Sequence, residues 1–245
     1  VYGLPKERLV VSVFEEDEEA YYLWKKRIGL PESRIYRLGA SENFWSMGDT
    51  GPRGPCSEIH YELVCRNSKA DTGKKPDPAC FLEIWNLVFM QYYQDPERNR
   101  TLLPAPSVDT GMGLERAAVI LQEKNNIYET DLFVPIIAKV SDLAGKIYGK
   151  DADTDFAMRV VAEHSRAAAF LIGDGVVPGN EGRGYVLRRV IRRGIRYGRR
   201  LGLTGHFLTE VVERVIPGFQ AVYSELSENR DFILRVTRLE EERFA

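Results

Sequence analysis

The alternation of hydrophobic and polar positions divides the chain into a mixed part and a helical part. Before residue 126, β-branched or aromatic runs such as LVVSVF (9–14) and FLEIWNLVF (81–89) predict strands. MGDTGPRGPC (47–56) predicts a loop, because proline removes a backbone donor and glycine favours positive φ. After residue 130, apolar positions repeat only at helical spacing. We therefore expect an α+β domain over residues 1–128 and an all-helical domain over residues 129–245.

The segment SVDTGMGLER (107–116) predicts a junction between a strand and a helix. Gly111 and Gly113 lack Cβ atoms, so a planar or phosphorylated ligand can approach the backbone closely. Arg116, on the first helical turn, can reach a phosphate or stack on a base, and Asp109 supplies an acid just before the glycines. A plain turn with a helix cap is the alternative interpretation of these residues.

The apolar strand at 81–89 contains an acid and an amide. Regular alternation places Glu83 and Trp85 on one face and Asn86 and Val88 on the other, unless a bulge intervenes. Either the acid and the amide are satisfied within the core, or they contact a cation or a polar substrate. In the helical part, we interpret His164 as a buried interhelical residue rather than a catalytic base.

The helix predicted over 183–200 has the strongest charge pattern of the chain. Eight of its eighteen residues are arginines and none is acidic. At about 100° per residue, one face of this helix is nearly all guanidinium. Because arginine suits phosphate and like charges repel without an anion, this face indicates binding to a nucleic-acid backbone. The alternative is a solvated face that pairs with acids elsewhere, such as EEDEE (15–19) or LEEER (239–243).

Composition narrows the class of protein further. The 245 residues are 44% hydrophobic and 29% charged, with a formal net charge of -2, and no apolar run approaches the roughly 20 residues that cross a bilayer. We expect a soluble protein with no membrane partner. The odd number of cysteines (Cys56, Cys65 and Cys80) predicts free thiols, and their spacing with His60 does not match a tetrahedral zinc site.

Four segments in order, NFWSMGDTGPRGPCSEI, EIWNLVFMQY, SVDTGMGLER and RGYVLRRVIRRGIRYG, closely resemble the alanyl-tRNA synthetases, a family of class II aminoacyl-tRNA synthetases. The resemblance covers essentially the whole chain. It implies part of a class II antiparallel sheet with flanking helices, followed by an all-helical tRNA-recognition domain. The implied activity is that of an alanine–tRNA ligase, which converts L-alanine and ATP to alanyl-adenylate and transfers the alanyl group to tRNA(Ala).

The resemblance also implies roles for individual residues. TGMGLER is similar to motif 3 of the class, in which the arginine contacts ATP. The implied catalytic residues are Arg116 and Glu83, and the implied ATP-binding residues are Gly111, Gly113, Arg116 and Glu83. The implied alanine-binding residues are Trp45, Asn86, Val88, Asp109 and Gly111. The family uses ATP with Mg²⁺, which the resemblance places near Glu83 and Asn86 rather than at a separate metal site.

In the helical part, the resemblance implies contact with the acceptor stem of tRNA(Ala), which carries a characteristic G:U pair. The implied tRNA-binding residues are Asn180, Arg183, Arg188, Arg189, Arg192, Arg193 and Arg196. Some members have an asparagine at the position of Gly182, so base reading is expected from neighbouring side chains. The alternative from a different class is a noncatalytic RNA-binding module derived from the synthetase.

The chain departs from the family pattern in ways that limit these expectations. Motifs 1 and 2 are missing, so we expect an internal fragment that does not activate alanine alone. The editing and C-terminal domains are absent too. Arg53 stands where some members begin a proposed zinc site, so zinc is expected only in absent parts of the parent. We expect a cytoplasmic protein, while an organelle stays open because a transit segment would lie upstream.

Overall fold

A six-stranded sheet organises the first compact unit, Val1–Asn126, of the computed structural model, which describes residues 2–63, 76–77 and 80–244. Its strands are β1 (Leu9–Phe14), β2 (Ile35–Leu38), β3 (Phe44–Ser46), β4 (Gly51–Glu62), β5 (Phe81–Gln94) and β6 (Arg100–Met112). The strand order is β2-β1-β4-β5-β6, and β3 also pairs with β4. The β1–β2 pair is parallel and the other pairs are antiparallel.

Short helices flank this sheet. They are α1 (Glu18–Tyr22), which continues into a π-helical turn at Leu23–Ile28, then α2 (Ala40–Asn43) and α3 (Leu114–Leu121). The Asp17 carboxylate caps α1 by accepting from the backbone N–H of Ala20 at 2.9 Å. Apolar residues of β1, the π-helical turn and β4 pack together, and α3 adds Ile120 to a second apolar cluster on the sheet.

The prediction of a loop over residues 47–56 is wrong for residues 51–56, because β4 begins at Gly51. A Cβ at Gly54 would lie 1.8 Å from the carbonyl oxygen of Phe89 in β5. The register also shifts between Arg53 and Cys56. Glycine is therefore required here for close approach of two strands rather than for a loop, and Pro52 and Pro55 are accommodated in the irregular part of the strand.

The second compact unit, Ile127–Ala245, contains helices and connecting loops but no strand among its described residues. Its helices are α4 (Val134–Ala144), α5 (Ala152–Gly173), α6 (Gly182–Arg200), α7 (Phe207–Phe219), α8 (Ser224–Glu228) and α9 (Arg230–Phe244). Helix α5 packs against α6, α7 and α9 around one apolar core. Gly198 on the inner face of α6 faces the ring of Phe207, which a Cβ would approach to 2.1 Å. Every described helix is too short or too polar to span a bilayer.

We expect Gly54→Ala to destabilise the sheet, because the added methyl group would overlap a backbone oxygen that cannot move without breaking strand pairing. The free energy of unfolding should fall by at least about 2 kcal/mol, measured by urea denaturation. Gly111→Ala is the matched control, since a Cβ there meets nothing within 4 Å and its stability should stay close to that of the wild type. Equal stability of the two variants would contradict this account of Gly54.

Candidate functional site

Four of the candidate residues are brought together by the register of β5 and β6. Asn86 lies opposite Gly111, and Val88 lies opposite Asp109. Because opposite residues in a sheet share a face and alternate residues along a strand do too, these four positions line one face. A Cβ at Gly111 would meet nothing within 4 Å, so the backbone there borders open space.

A bulge in β5 places Glu83 on this same face. Glu58 pairs with Asn86 and His60 pairs with Glu83, which leaves Ile84 as an extra residue in β5. Consecutive residues Ile84 and Trp85 accordingly both pack in the apolar cluster on the opposite face. The bulge is the exception to regular alternation that the sequence interpretation allowed for, and with it the acid and the amide lie on one face.

Arg116, on the first turn of α3, contacts the Glu83 carboxylate. Its Nη1 lies 2.8 Å from Glu83 Oε2 and donates to the Glu83 carbonyl oxygen at 3.0 Å. Gly113 gives the arginine side chain room, because a Cβ there would lie 3.3 Å from Arg116 Cδ. The strand register therefore places Asp109 on the same sheet face as Glu83. The ion pair with Glu83 brings the Arg116 guanidinium to that face as well. The Asp109 carboxylate is exposed, and its Oδ1 accepts only from the adjacent Thr110 N–H among the described contacts, at 2.9 Å.

Three residues that the sequence interpretation missed support Asn86 from β1 and β4. Glu58 Oε1 accepts from Asn86 Nδ2 at 3.4 Å, and Glu58 Oε2 accepts from Ser12 Oγ at 3.2 Å. The Nε2 of His60 lies 3.3 Å from both Glu58 Oε2 and Ser12 Oγ. Glu58 and His60 alternate in the apolar run SEIHYEL, a signal that predicts two polar side chains on one face. Asn86 Oδ1 is buried and has no hydrogen-bond partner among the described residues.

The remaining predicted alanine contact, Trp45, is only loosely connected with this face. It pairs with Gly54, two residues before Cys56 in β4, and its side chain is 37% exposed. Among the described residues, no hydrogen bond or ring contact joins Trp45 to Val88 or Asp109. The structure therefore places Trp45 on the neighbouring strand β3, which pairs with β4.

Cys56 lies opposite Val88 and forms a neutral wall of the site. Burial, and then the charge of Glu58, raise the pKa of this thiol to about 11. The Asn43 Nδ2 and the Glu42 carbonyl oxygen each lie 3.9 Å from its sulfur.

Cys56 is a free thiol, as predicted. The same expectation is wrong for Cys80, which is disulfide-bonded. Cys65 lies outside the described residues. Two of the three cysteines can thus be compared with the prediction, and one of them contradicts it.

We expect Cys56 to alkylate at least about a hundredfold more slowly in the folded protein than after unfolding, because the reactive thiolate is scarce at pH 8. The measurement is iodoacetamide labelling of the Cys56 peptide by mass spectrometry, with and without guanidinium. Between the ordinary thiol pKa and the raised pKa of Cys56, the folded state keeps a proton that the unfolded state releases. The contribution of this thiol to the free energy of unfolding should therefore fall as the pH rises through that range. Equally fast labelling of both states would contradict the raised pKa.

The candidate arginines of α6 divide into two rows. Arg188 and Arg192 turn toward α9, where their Nε atoms lie 3.2 and 2.8 Å from Glu240 Oε1. Glu240, in the LEEER segment, is 1% exposed. The interpretation of the helix as a face that pairs with acids elsewhere therefore holds for this row.

The second row is exposed and consists of Arg189, Arg193 and Arg196. No carboxylate lies within 4.0 Å of these three guanidinium groups in the described part of the chain. Arg189 and Arg193 stack over the rings of Tyr185 and Tyr197, with the guanidinium carbon 5.7 and 5.6 Å from the ring centroids. The predicted contacts Arg183 and Asn180 are also exposed, at the N-terminal end of α6.

A cavity of about 530 Å³ borders the exposed row. It is lined by arginines of α6 together with His164 of α5, Tyr197 of α6 and Phe244 of α9. Burial, and then the charge of Arg193, lower the pKa of His164, so its imidazole is neutral at pH 7. The Cβ of His164 lies against Gly194, at 3.4 Å from where a glycine Cβ would stand. His164 thus packs between helices, as the sequence interpretation has it, and it also lines the cavity.

The mixed sheet with its acid, amide and arginine, together with the motif-3-like junction, defines a class II aminoacyl-tRNA synthetase domain. The family described as tRNA synthetases class II (A) matches residues 1–245, and the chain belongs to this family. The α+β fold class and the family resemblance predicted from the sequence are confirmed.

Relatives of this chain are alanine–tRNA ligases. It is 56% identical over 250 residues to that of Desulfosudis oleivorans, covering 100% of this chain and 28% of the relative. It is 51% identical over 246 residues to that of Lawsonia intracellularis and 53% identical over 247 residues to that of Oleidesulfovibrio alaskensis. These cover 99% and 98% of this chain, and 28% of each relative. The chain thus spans about 28% of the length of the curated relatives it matches.

Proposed function

We propose that this chain is the central part of an alanine–tRNA ligase, which activates L-alanine with ATP and transfers the alanyl group to tRNA(Ala). The observation that carries the proposal is the shared sheet face of Asn86, Val88, Asp109 and Gly111, with Glu83 and Arg116 joined to it. Identity to alanine–tRNA ligases over the whole chain supports it. A noncatalytic RNA-binding module is not favoured, because those relatives match across the sheet as well as the helices.

In this proposal, the polar face binds the amino acid. The exposed Asp109 carboxylate anchors the ammonium group, and the buried Asn86 Oδ1 accepts one of its protons. Val88 and the neutral Cys56 thiol border the methyl group, with Trp45 as an outer wall. Since one methylene changes binding by only about 1–3 kcal/mol, a site of this kind discriminates weakly against glycine.

The end of the face near α3 binds ATP. Arg116 contacts phosphate or adenine, and the Glu83 carboxylate holds its guanidinium in place before the nucleotide arrives. Because Mg²⁺ is commonly bound by one or two protein oxygens plus substrate phosphates, the second Glu83 oxygen fits it, on the sheet face that also carries Asn86. The ion supplies neutralisation of phosphate charge. The chain's own residues position both reactants and stabilise the charge that develops on phosphate oxygens.

We expect Asp109→Asn to raise the KM for alanine far more than the KM for ATP. Loss of a charge-assisted contact of about 1.5–3 kcal/mol corresponds to roughly a ten- to hundredfold increase. The measurement is alanine-dependent ATP–pyrophosphate exchange by a protein of the relatives' full length that contains this chain. Asp153→Asn, an exposed aspartate of α5, is the matched control and should change neither constant. Equal increases in both KM values would argue against the ammonium role, and absence of exchange in the unsubstituted protein would reject the ligase.

The exposed row of α6 is proposed to bind the sugar–phosphate backbone of the tRNA acceptor stem. Planar guanidinium groups bind phosphate in a bidentate manner, and the tyrosines beneath Arg189 and Arg193 limit their freedom. The cavity beside the row offers aromatic and basic surface to the same ligand. Arg183 and Asn180 extend the contact to the end of the helix.

We expect Arg196→Gln to weaken RNA binding and to reduce the slope of log K against log salt by about 1, because one phosphate contact is lost. Arg214→Gln, which removes an exposed arginine from α7, should leave the slope unchanged. The measurement is a salt titration of hairpin RNA binding by fluorescence anisotropy. Identical slopes for the two variants would remove the exposed row from the RNA interface.

A further inference from the structure

The Glu58 carboxylate in β4 is held from one side and contacts Asn86 from the other. Its Oε2 accepts from Ser12 Oγ at 3.2 Å and lies 3.3 Å from His60 Nε2. Ser12 lies directly opposite Glu58 in β1 and is 0% exposed, while the Glu58 side chain is 14% exposed. The other carboxylate oxygen, Oε1, accepts from Asn86 Nδ2 at 3.4 Å. The sheet therefore fixes this carboxylate independently of its contact with Asn86.

The chemistry of a carboxylate determines which end of the Asn86 amide faces it. An ionised carboxylate has only acceptors, whereas an amide has an acceptor oxygen at one end and a donor nitrogen at the other. Only Nδ2 of Asn86 can therefore bind Glu58, and Oδ1 remains for another partner. Oδ1 is buried and has no hydrogen-bond partner among the described residues. An acceptor in this state is costly, and a ligand N–H group that reaches it removes that cost.

This orientation of the amide matches the ammonium end of an amino acid. An ammonium group has only donors, so its protein partners must be acceptors. Asp109, which lies opposite Val88 on the same face, supplies a carboxylate. Asn86 supplies a second acceptor in the orientation that Glu58 imposes, whereas the flipped amide would turn its N–H groups against those of the ammonium group. Glu58 thus favours the ammonium end of the ligand at this position over its carboxylate end.

We propose that Glu58, held by Ser12 and His60, is a positioning residue of the amino-acid site, which fixes the Asn86 amide with its acceptor toward the ammonium group of the substrate. The inference rests on the proposed alanine-binding function of this face. It adds a cause for the polarity of the site: Glu58 acts through Asn86 rather than by touching the substrate. The three positioning side chains come from β1 and β4, next to the strand that carries Asn86.

The test is a double-mutant cycle between positions 58 and 86, in a protein of the relatives' full length that contains this chain. The readout is the KM for alanine and for ATP in alanine-dependent ATP–pyrophosphate exchange. Glu58→Gln keeps the shape but adds a donor, which can bind Asn86 Oδ1 and turn the amide round. The KM for alanine should rise roughly tenfold, with less than about a twofold change in the KM for ATP. Glu7→Gln, at an exposed glutamate before β1, is the matched control and should change neither constant.

Asn86→Asp supplies the decisive comparison. In the presence of Glu58, it sets two carboxylates against each other, so the KM for alanine should rise. In the Glu58→Gln background, the introduced carboxylate accepts from the introduced amide and still presents an oxygen to the ammonium group. The KM for alanine should then return to within about threefold of the wild-type value. A purely structural role of Glu58 does not predict opposite effects of one substitution in two backgrounds.

An unchanged KM for alanine in Glu58→Gln, or a further increase when Asn86→Asp is added to it, overturns the positioning role while the ligase stands. If Glu58→Gln fails to fold, Ser12→Ala remains decisive, because it releases Oε2 from β1. The KM for alanine should then rise by about threefold without a change in the KM for ATP, and an unchanged value overturns the inference. If the unsubstituted protein shows no alanine-dependent exchange, the proposed ligase fails and this inference fails with it.

Discussion

One extra residue in β5 determines which side chains the candidate active site contains. Without the bulge at Ile84, regular alternation would direct Glu83 to the face where α3 and the sheet form an apolar cluster. A carboxylate there would lose hydration without a compensating partner. With the bulge, Glu83 lies on the polar face with Asn86 and receives the guanidinium of Arg116. Both the acid–amide pair and the position of Arg116 therefore depend on one local irregularity in strand pairing.

The side chains of the sheet site and those of the exposed α6 row are held in place by different kinds of contact. On the sheet, Asn86 is held from the side by Glu58, which Ser12 and His60 hold in turn. Such a chain of hydrogen bonds fixes a side chain to the accuracy that transfer chemistry requires. Contacts to a phosphate backbone are longer in range and tolerate flexible cations. Arg189 and Arg193 accordingly stack on tyrosine rings, whereas the Asn180 side chain accepts from Arg188.

The local pattern of apolar and polar residues predicts helices and strands well where residues close in sequence determine them. The run LVVSVF coincides with β1, and the glycine junction leads into α3 at Leu114. Local pattern leaves a feature open, or predicts it wrongly, where a residue distant in sequence determines it. The bulge in β5 is defined only by its register with β4, and Gly54 is required by the Phe89 carbonyl oxygen. Helical periodicity likewise predicts the basic face of α6, but its division into rows depends on Glu240, 48 residues after Arg192.

That division reconciles two interpretations of the arginine-rich helix that look mutually exclusive in the sequence. The single negative charge of Glu240 faces two positive charges, those of Arg188 and Arg192. The carboxylate therefore does not fully neutralise even these two arginines. None of it is left to neutralise the neighbouring row, which has no carboxylate within 4.0 Å in the described part of the chain. Internal pairing therefore does not remove the basic surface. The contacts of Arg188 and Arg192 with Glu240 fix α6 against α9. The exposed arginines on α6 are therefore carried by a helix that is already held in position when an anion binds.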